Sequence, residues 1–94
     1  MIAIRIGTRT EIEGRLIGAS NLDIGEYQLE DGTRITGPTV LLSFPDAPAL
    51  TVGTGQSVTI GGRVHDVEGI DVGDSPEDSA VRLLPRPAET APLA

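Results

Sequence analysis

Polar and apolar positions alternate along much of this chain with a period of two. Ile2, Ile4 and Ile6 alternate with Ala3 and Arg5, the pattern of a strand with one buried face, and Gly7 ends it. Thr10 to Ile17 predict a second short strand anchored by Ile12 and Leu16, with Gly14 marking a bulge or a close approach. From Gly18 to Gly37, turn residues mix with isolated apolar ones: Leu22, Ile24, Tyr27, Leu29 and Ile35. Within that segment Glu30-Asp31-Gly32-Thr33 predicts a two-residue Asp-Gly turn, pairing Tyr27 to Leu29 with Arg34 to Thr36 behind a mobile approach. Thr39 to Phe44 has the apolar density of a strand buried on both faces or covered by another chain. Pro45 and Pro48 close it, and Leu50 to Val52 follow as a short strand.

The central local prediction is a hairpin at Gly61-Gly62. Glycine takes the positive φ that a tight hairpin turn demands, and β-branched runs flank it on both sides. Val58, Ile60, Gly61, Gly62 and Val67 are its scaffold positions. Further on, Ser75-Pro76-Glu77-Asp78 has the composition of a helix start and predicts one helical turn. Ala80 to Leu84 predict the last strand, and Pro85 to Ala94, with three prolines and no periodicity, a disordered tail. The sum is an all-β chain: a small antiparallel barrel or sandwich of six to eight short strands with a long central loop or hairpin. One domain is expected over residues 1–84, with a flexible Pro-rich tail over 85–94.

Composition sharpens this. In 94 residues the only aromatic side chains are Tyr27 and Phe44, so the core must be thin and built from Ile, Val, Leu and Ala. Thin cores lean on partners. The absence of cysteine excludes disulfides and thiolate metal sites, and no apolar run reaches the length of a bilayer span, so no membrane association is expected. The start M-I-A-I-R-I-G lacks a basic region followed by a long apolar segment, which predicts a soluble, unprocessed chain. Net charge is −7, with arginine as the only basic residue, which opposes tight wrapping of a nucleic acid.

Candidate chemistry is sparse. Gly53-Thr54-Gly55 and Gly61-Gly62 resemble fragments of phosphate loops but lack the following lysine and helix. His65 has no second histidine or cysteine, and Asp66 points to the other strand face. Asp71, Asp74, Glu77 and Asp78 lack the spacing of a calcium loop, and no serine sits in a nucleophile elbow. No catalytic residue, cofactor or metal site is predicted.

Thr39-Val40-Leu41-Leu42-Ser43-Phe44, a Pro-Asp loop, and then the run from Gly55-Gln56-Ser57 through Gly61-Gly62-Arg63 to Val67 together resemble the small head-tail connector proteins of tailed bacteriophages. These are the lambda-type head-tail joining proteins and the stopper proteins of related phages and phage-like particles. Ile70 to Asp74 and Val81 to Leu84 fill the places of that family's acidic Gly loop and final leucine-rich strand. Gln56 stands where the family often has Asp, and His65 where it often has Tyr.

The resemblance implies a β-barrel subunit of the virion neck, made in the cytoplasm of a bacterial host. It would form a ring, hexameric or dodecameric, of its own copies between the portal or adaptor ring and the tail terminator. Genomic DNA would pass through without tight binding. Asp23, Glu26, Glu30 and Asp31 are then channel or gate candidates, and Leu22, Ile24, Tyr27, Val40, Leu42 and Phe44 assembly-surface candidates. The alternatives are a tail terminator or other tail ring protein, and, in another class, a small soluble β-barrel binding module. The first usually has a longer chain with helices; the second needs an exposed aromatic platform. An enzyme would need an acid-base constellation that the chain does not display.

Overall fold

A computed structural model describes residues 1–86. Eight strands run in chain order: β1 (Ile2–Arg5), β2 (Arg9–Ile12), β3 (Arg15–Gln28), β4 (Arg34–Ser43), β5 (Leu50–Gly53), β6 (Ser57–Ile60), β7 (Arg63–Asp71) and β8 (Ala80–Pro85). They form two antiparallel four-stranded sheets, β1-β8-β7-β6 and β2-β3-β4-β5. The chain crosses between sheets at two corners. At the first, Ile6 N–H donates to Ser79 O (2.9 Å) while Gly7 N–H donates to Ala19 O (2.7 Å). At the second, Gly55 N–H donates to Val67 O (2.9 Å) and Val67 N–H to Gln56 O (2.8 Å). The result is two sheets joined at their corners, within the all-β barrel or sandwich class that the alternation predicts.

Alternation also decides what fills it. Ile4, Ile12, Ile17, Val40, Leu42, Val52, Ile60, Val67, Val81 and Leu83 lie inward with almost no exposure, and neither Tyr27 nor Phe44 is among the fully buried residues. Leu22, Phe44, Ile2 and Ile70 pack against its margin. Burying an aliphatic side chain of this size stabilises by roughly 1.5–3 kcal/mol. The fold is therefore held by several small contributions and by no single large residue.

Two hairpin turns are tight because both of their central residues take positive φ. Gly61 (φ 59°) and Gly62 (φ 82°) join β6 to β7 with Ile60 opposite Arg63, as the sequence predicts. Glu13 (φ 51°) and Gly14 (φ 76°) do the same between β2 and β3, with Ile12 opposite Arg15. The expected single strand Thr10 to Ile17 is thus two strands, and Gly14 marks a turn where a bulge or a close approach was expected. Because the chain reverses there, Ile17 takes the inward place and Leu16 is 56% exposed.

The segment from Gly18 to Glu26, expected as a mobile approach to the hairpin, is part of the strand β3. Its turn is also longer than two residues. Gly32 N–H donates to Leu29 O (2.9 Å) and Leu29 N–H to Thr33 O (2.8 Å), leaving a three-residue loop with Gly32 at φ 90°. The expected segments do pair, but the extra loop residue shifts the register by one: Tyr27 is opposite Ile35 and Gln28 opposite Arg34, where the two-residue turn would have set them opposite Thr36 and Ile35. The single helical turn falls at Pro76–Asp78 after Ser75, although the Ser75 hydroxyl bonds the Asp78 carboxylate and caps no backbone N–H. Strand β8 ends at Pro85, one residue past the expected Leu84, and Arg86 N–H donates to Val64 O (2.9 Å). Residues 87–94 of the expected tail lie outside the described residues.

Candidate functional site

The longest strand pair makes the site. Strand β2 accompanies β3 only over Arg15 to Gly18, and β5 accompanies β4 only over Thr39 to Leu42. Beyond those points β3 and β4 continue as a two-stranded ribbon as far as Gln28 and Arg34. A bulge starts it: the register slips between Ser20 and Asp23, where Asn21 holds φ 51°. Asparagine tolerates that left-handed conformation better than most residues, and a bulge bends its strand away from the sheet.

The ribbon is clamped to the second corner. The Tyr27 hydroxyl donates to Thr54 O (2.8 Å), and its ring lies so close over Gly53 that a Cβ there would overlap it. Gln56 spans the same junction, accepting from Gly53 N–H at Oε1 (3.0 Å) and donating from Nε2 to Gln28 O (2.9 Å). Sequence reasoning noted Gln56 only as a departure from the connector pattern and missed its bracing role. Its partner Gln28 lies 28 residues away in the chain, and the only local signal was a Gly-flanked turn.

All four predicted channel or gate acids lie on this ribbon and its loop, and all are exposed. Each carboxylate also has a local partner. Asp23 Oδ1 accepts from Ile24 N–H (2.8 Å), and Glu26 lies 3.8 Å from Arg34. Glu30 accepts from Ser57 Oγ (3.0 Å), and Asp31 accepts from Thr33 N–H (2.9 Å). That last bond holds the Asp31 carboxyl below its ordinary range. These acids fix the ribbon's shape while leaving its charge in solvent.

The assembly-surface candidates divide. Val40 and Leu42 are fully buried, because they take the inward positions of β4, so they are core and offer no surface. Leu22 and Phe44 pack on the margin of that core. Tyr27 is half-buried in the clamp to Thr54, within its own chain. Ile24 alone stands out, 63% exposed on the ribbon.

Elsewhere, arginine pairs tie the strands. Arg86 grips Asp66 through Nε and Nη2 (2.7 Å at the shortest), which holds the Asp66 carboxyl below its ordinary range. Arg82 lies over Gly69, 3.2 Å from Glu68 and 3.0 Å from Asp71. The scaffold hairpin touches the other tight turn: Arg63 lies 3.6 Å from Glu13, and a Cβ on Gly61 would sit 2.7 Å from the Glu13 Cβ.

His65 is wholly buried on β7. Its Nδ1 is 3.0 Å from Arg63 O, and Nε2 has no hydrogen-bond partner among the described residues. Two shallow grooves flank the edge of β5, one of them lined by Phe44, Pro48, Leu50 and Val58 with no charged group. Among the described residues no three His, Cys, Asp or Glu side chains are placed to hold a metal ion. Within the acidic cluster after β7, Asp71 is paired with Arg82 and Asp78 with Ser75. Comparison with protein-family models, with curated proteins and with solved structures finds no match for this chain.

Proposed function

We propose that this chain is a structural subunit of the neck of a tailed phage or phage-like particle, assembling with its own copies into a ring between the portal or adaptor and the tail. The observation that carries this reading is the ribbon. It extends past the strands that flank it and presents four carboxylates against the single guanidinium of Arg34. A projecting acidic hairpin on a small all-β domain suits the rim of a channel, since like charge keeps DNA from adhering while it moves. The resemblance of Thr39 to Phe44 and Gly55 to Val67 to head-tail connectors supports the same reading, and those residues form β4, β6, β7 and their corner. Ring neighbours would also supply burial that a core without a buried Phe, Tyr or Trp lacks.

The test is negative-stain microscopy of particles made without this protein. Tailless heads that leak DNA are the expected result, and intact infectious particles would overturn the proposal. A ring structure with Asp23, Glu26, Glu30 and Asp31 on its outer wall would remove the channel role and leave the neck role standing.

A further inference from the structure

We infer that the middle of the ribbon, Asp23 to Glu26, docks on the corner between Arg5 and Arg9 of a second copy, so that copies associate head to tail. The inference rests on the ring reading above and names the contact that would build the ring. Its first support is the open edge of β3, which leaves β2 after Gly18 and gains no other ladder partner on that side among the described residues. Unpaired strand edges in water are templates for another chain unless blunted. On the ribbon's other strand Pro38 provides the blunting, since it lacks an N–H; Asp23 to Glu26 contain no proline, and there the Ile24 N–H is held by Asp23 Oδ1 (2.8 Å), a carboxylate that a cation of a second copy would also draw on. Ile24 adds an exposed apolar contact between the two acids.

The second support is independent. Five of the seven arginines have a carboxylate within 4 Å: Arg15, Arg34, Arg63, Arg82 and Arg86. Arg5 and Arg9 have none among the described residues, and both are exposed where β1 turns into β2. Strands β1 and β2 are themselves the open edges of their sheets there. The ribbon acids of the same chain are distant: Arg9 is opposite Gly18, and Asp23 lies five residues further along β3, at most about 16 Å away at strand rise. Complementary patches at two separate places on one chain give a heterologous contact, the kind that builds rings when the rotation between copies closes and filaments when it does not. Asp23 and Glu26 then belong to the subunit contact, and Glu30 and Asp31 at the tip are left for the lumen.

Two charge-reversed chains test this by sedimentation in about 20 mM salt, where screening is weak. Arg5→Glu/Arg9→Glu breaks the corner and Asp23→Arg/Glu26→Arg breaks the ribbon, all at exposed positions, with circular dichroism to confirm that each folds. The wild type should self-associate. Each variant alone should associate at least about ten-fold more weakly, in line with close charge pairs at interfaces. An equimolar mixture should recover association, because each variant's ribbon then meets a corner of opposite sign. A wild type that stays monomeric to about 1 mM, variants that associate like wild type, or a mixture that recovers nothing would each overturn the contact. Particles lacking the chain separate the two ideas: tailless heads with a failed charge swap leave the neck role and remove this contact, whereas normal particles with a successful swap do the reverse.

Discussion

A methyl group added to Gly61 would meet the Glu13 Cβ at 2.7 Å, whereas one added to Gly62 would meet open space. Both glycines hold positive φ, which costs a side chain about 1–2 kcal/mol in backbone strain. Gly62→Ala should therefore lower stability by about that strain alone, and Gly61→Ala by more, because the neighbouring turn must also give way. Urea denaturation of the two variants orders them, and the reverse order would mean that the turns do not touch. Valine at both positions should prevent folding. Tyr27→Phe isolates the clamp: losing the bond to Thr54 O while keeping the ring over Gly53 should cost about 1 kcal/mol, read as a shift in denaturation midpoint. The glycine pair was legible in the sequence because φ is a property of one residue and its immediate neighbours. The roles of Tyr27 and Gln56 were not, since their partners are brought near only by folding.

Strands were legible where two-residue alternation met a clear turn signal. Val58 to Val67 satisfies both conditions, and the paired residues fall where they were expected. At Thr10 to Ile17 the turn contains Glu13, which has no special liking for positive φ, so one strand was read where two exist. The ribbon was partly legible: that its strands pair followed from Asp31-Gly32, but the three-residue loop shifted the register by one, and its length was hidden by polar residues that water, and no opposing sheet, covers. Strand β8 outlasts its apolar run because Arg86 is gripped by Asp66 on β7. The Arg86 hydrogen bond lowers the Asp66 pKa, so its contribution is present above the ordinary carboxyl value near 3.9 and is lost as pH falls through the lower folded value. Arg86→Ala should accordingly be less stable than wild type at pH 6, with the gap closing as pH approaches about 2. Denaturation curves across that range check it, and a gap that persists in acid would show that Arg86 acts through packing.

For the whole molecule, the all-β class followed from periodicity, while the facing of Val40 and Leu42 depended on which sheet lies opposite, something a single strand cannot reveal. That facing matters for function, because it moves any assembly contact from an apolar patch on β4 to charge and strand edge on the ribbon. Charge then has two opposed effects. A net charge of −7 makes the folded chain repel itself, so added salt should raise its stability to urea by screening that repulsion. The same salt should weaken association if acidic ribbon meets arginine corner, since exposed pairs are largely screened near a Debye length of about 8 Å at physiological ionic strength. Stability and association should therefore move in opposite directions between low and high salt. If both rise together, burial of Ile24 and not charge holds the copies to one another, because apolar contact strengthens when charge repulsion is screened.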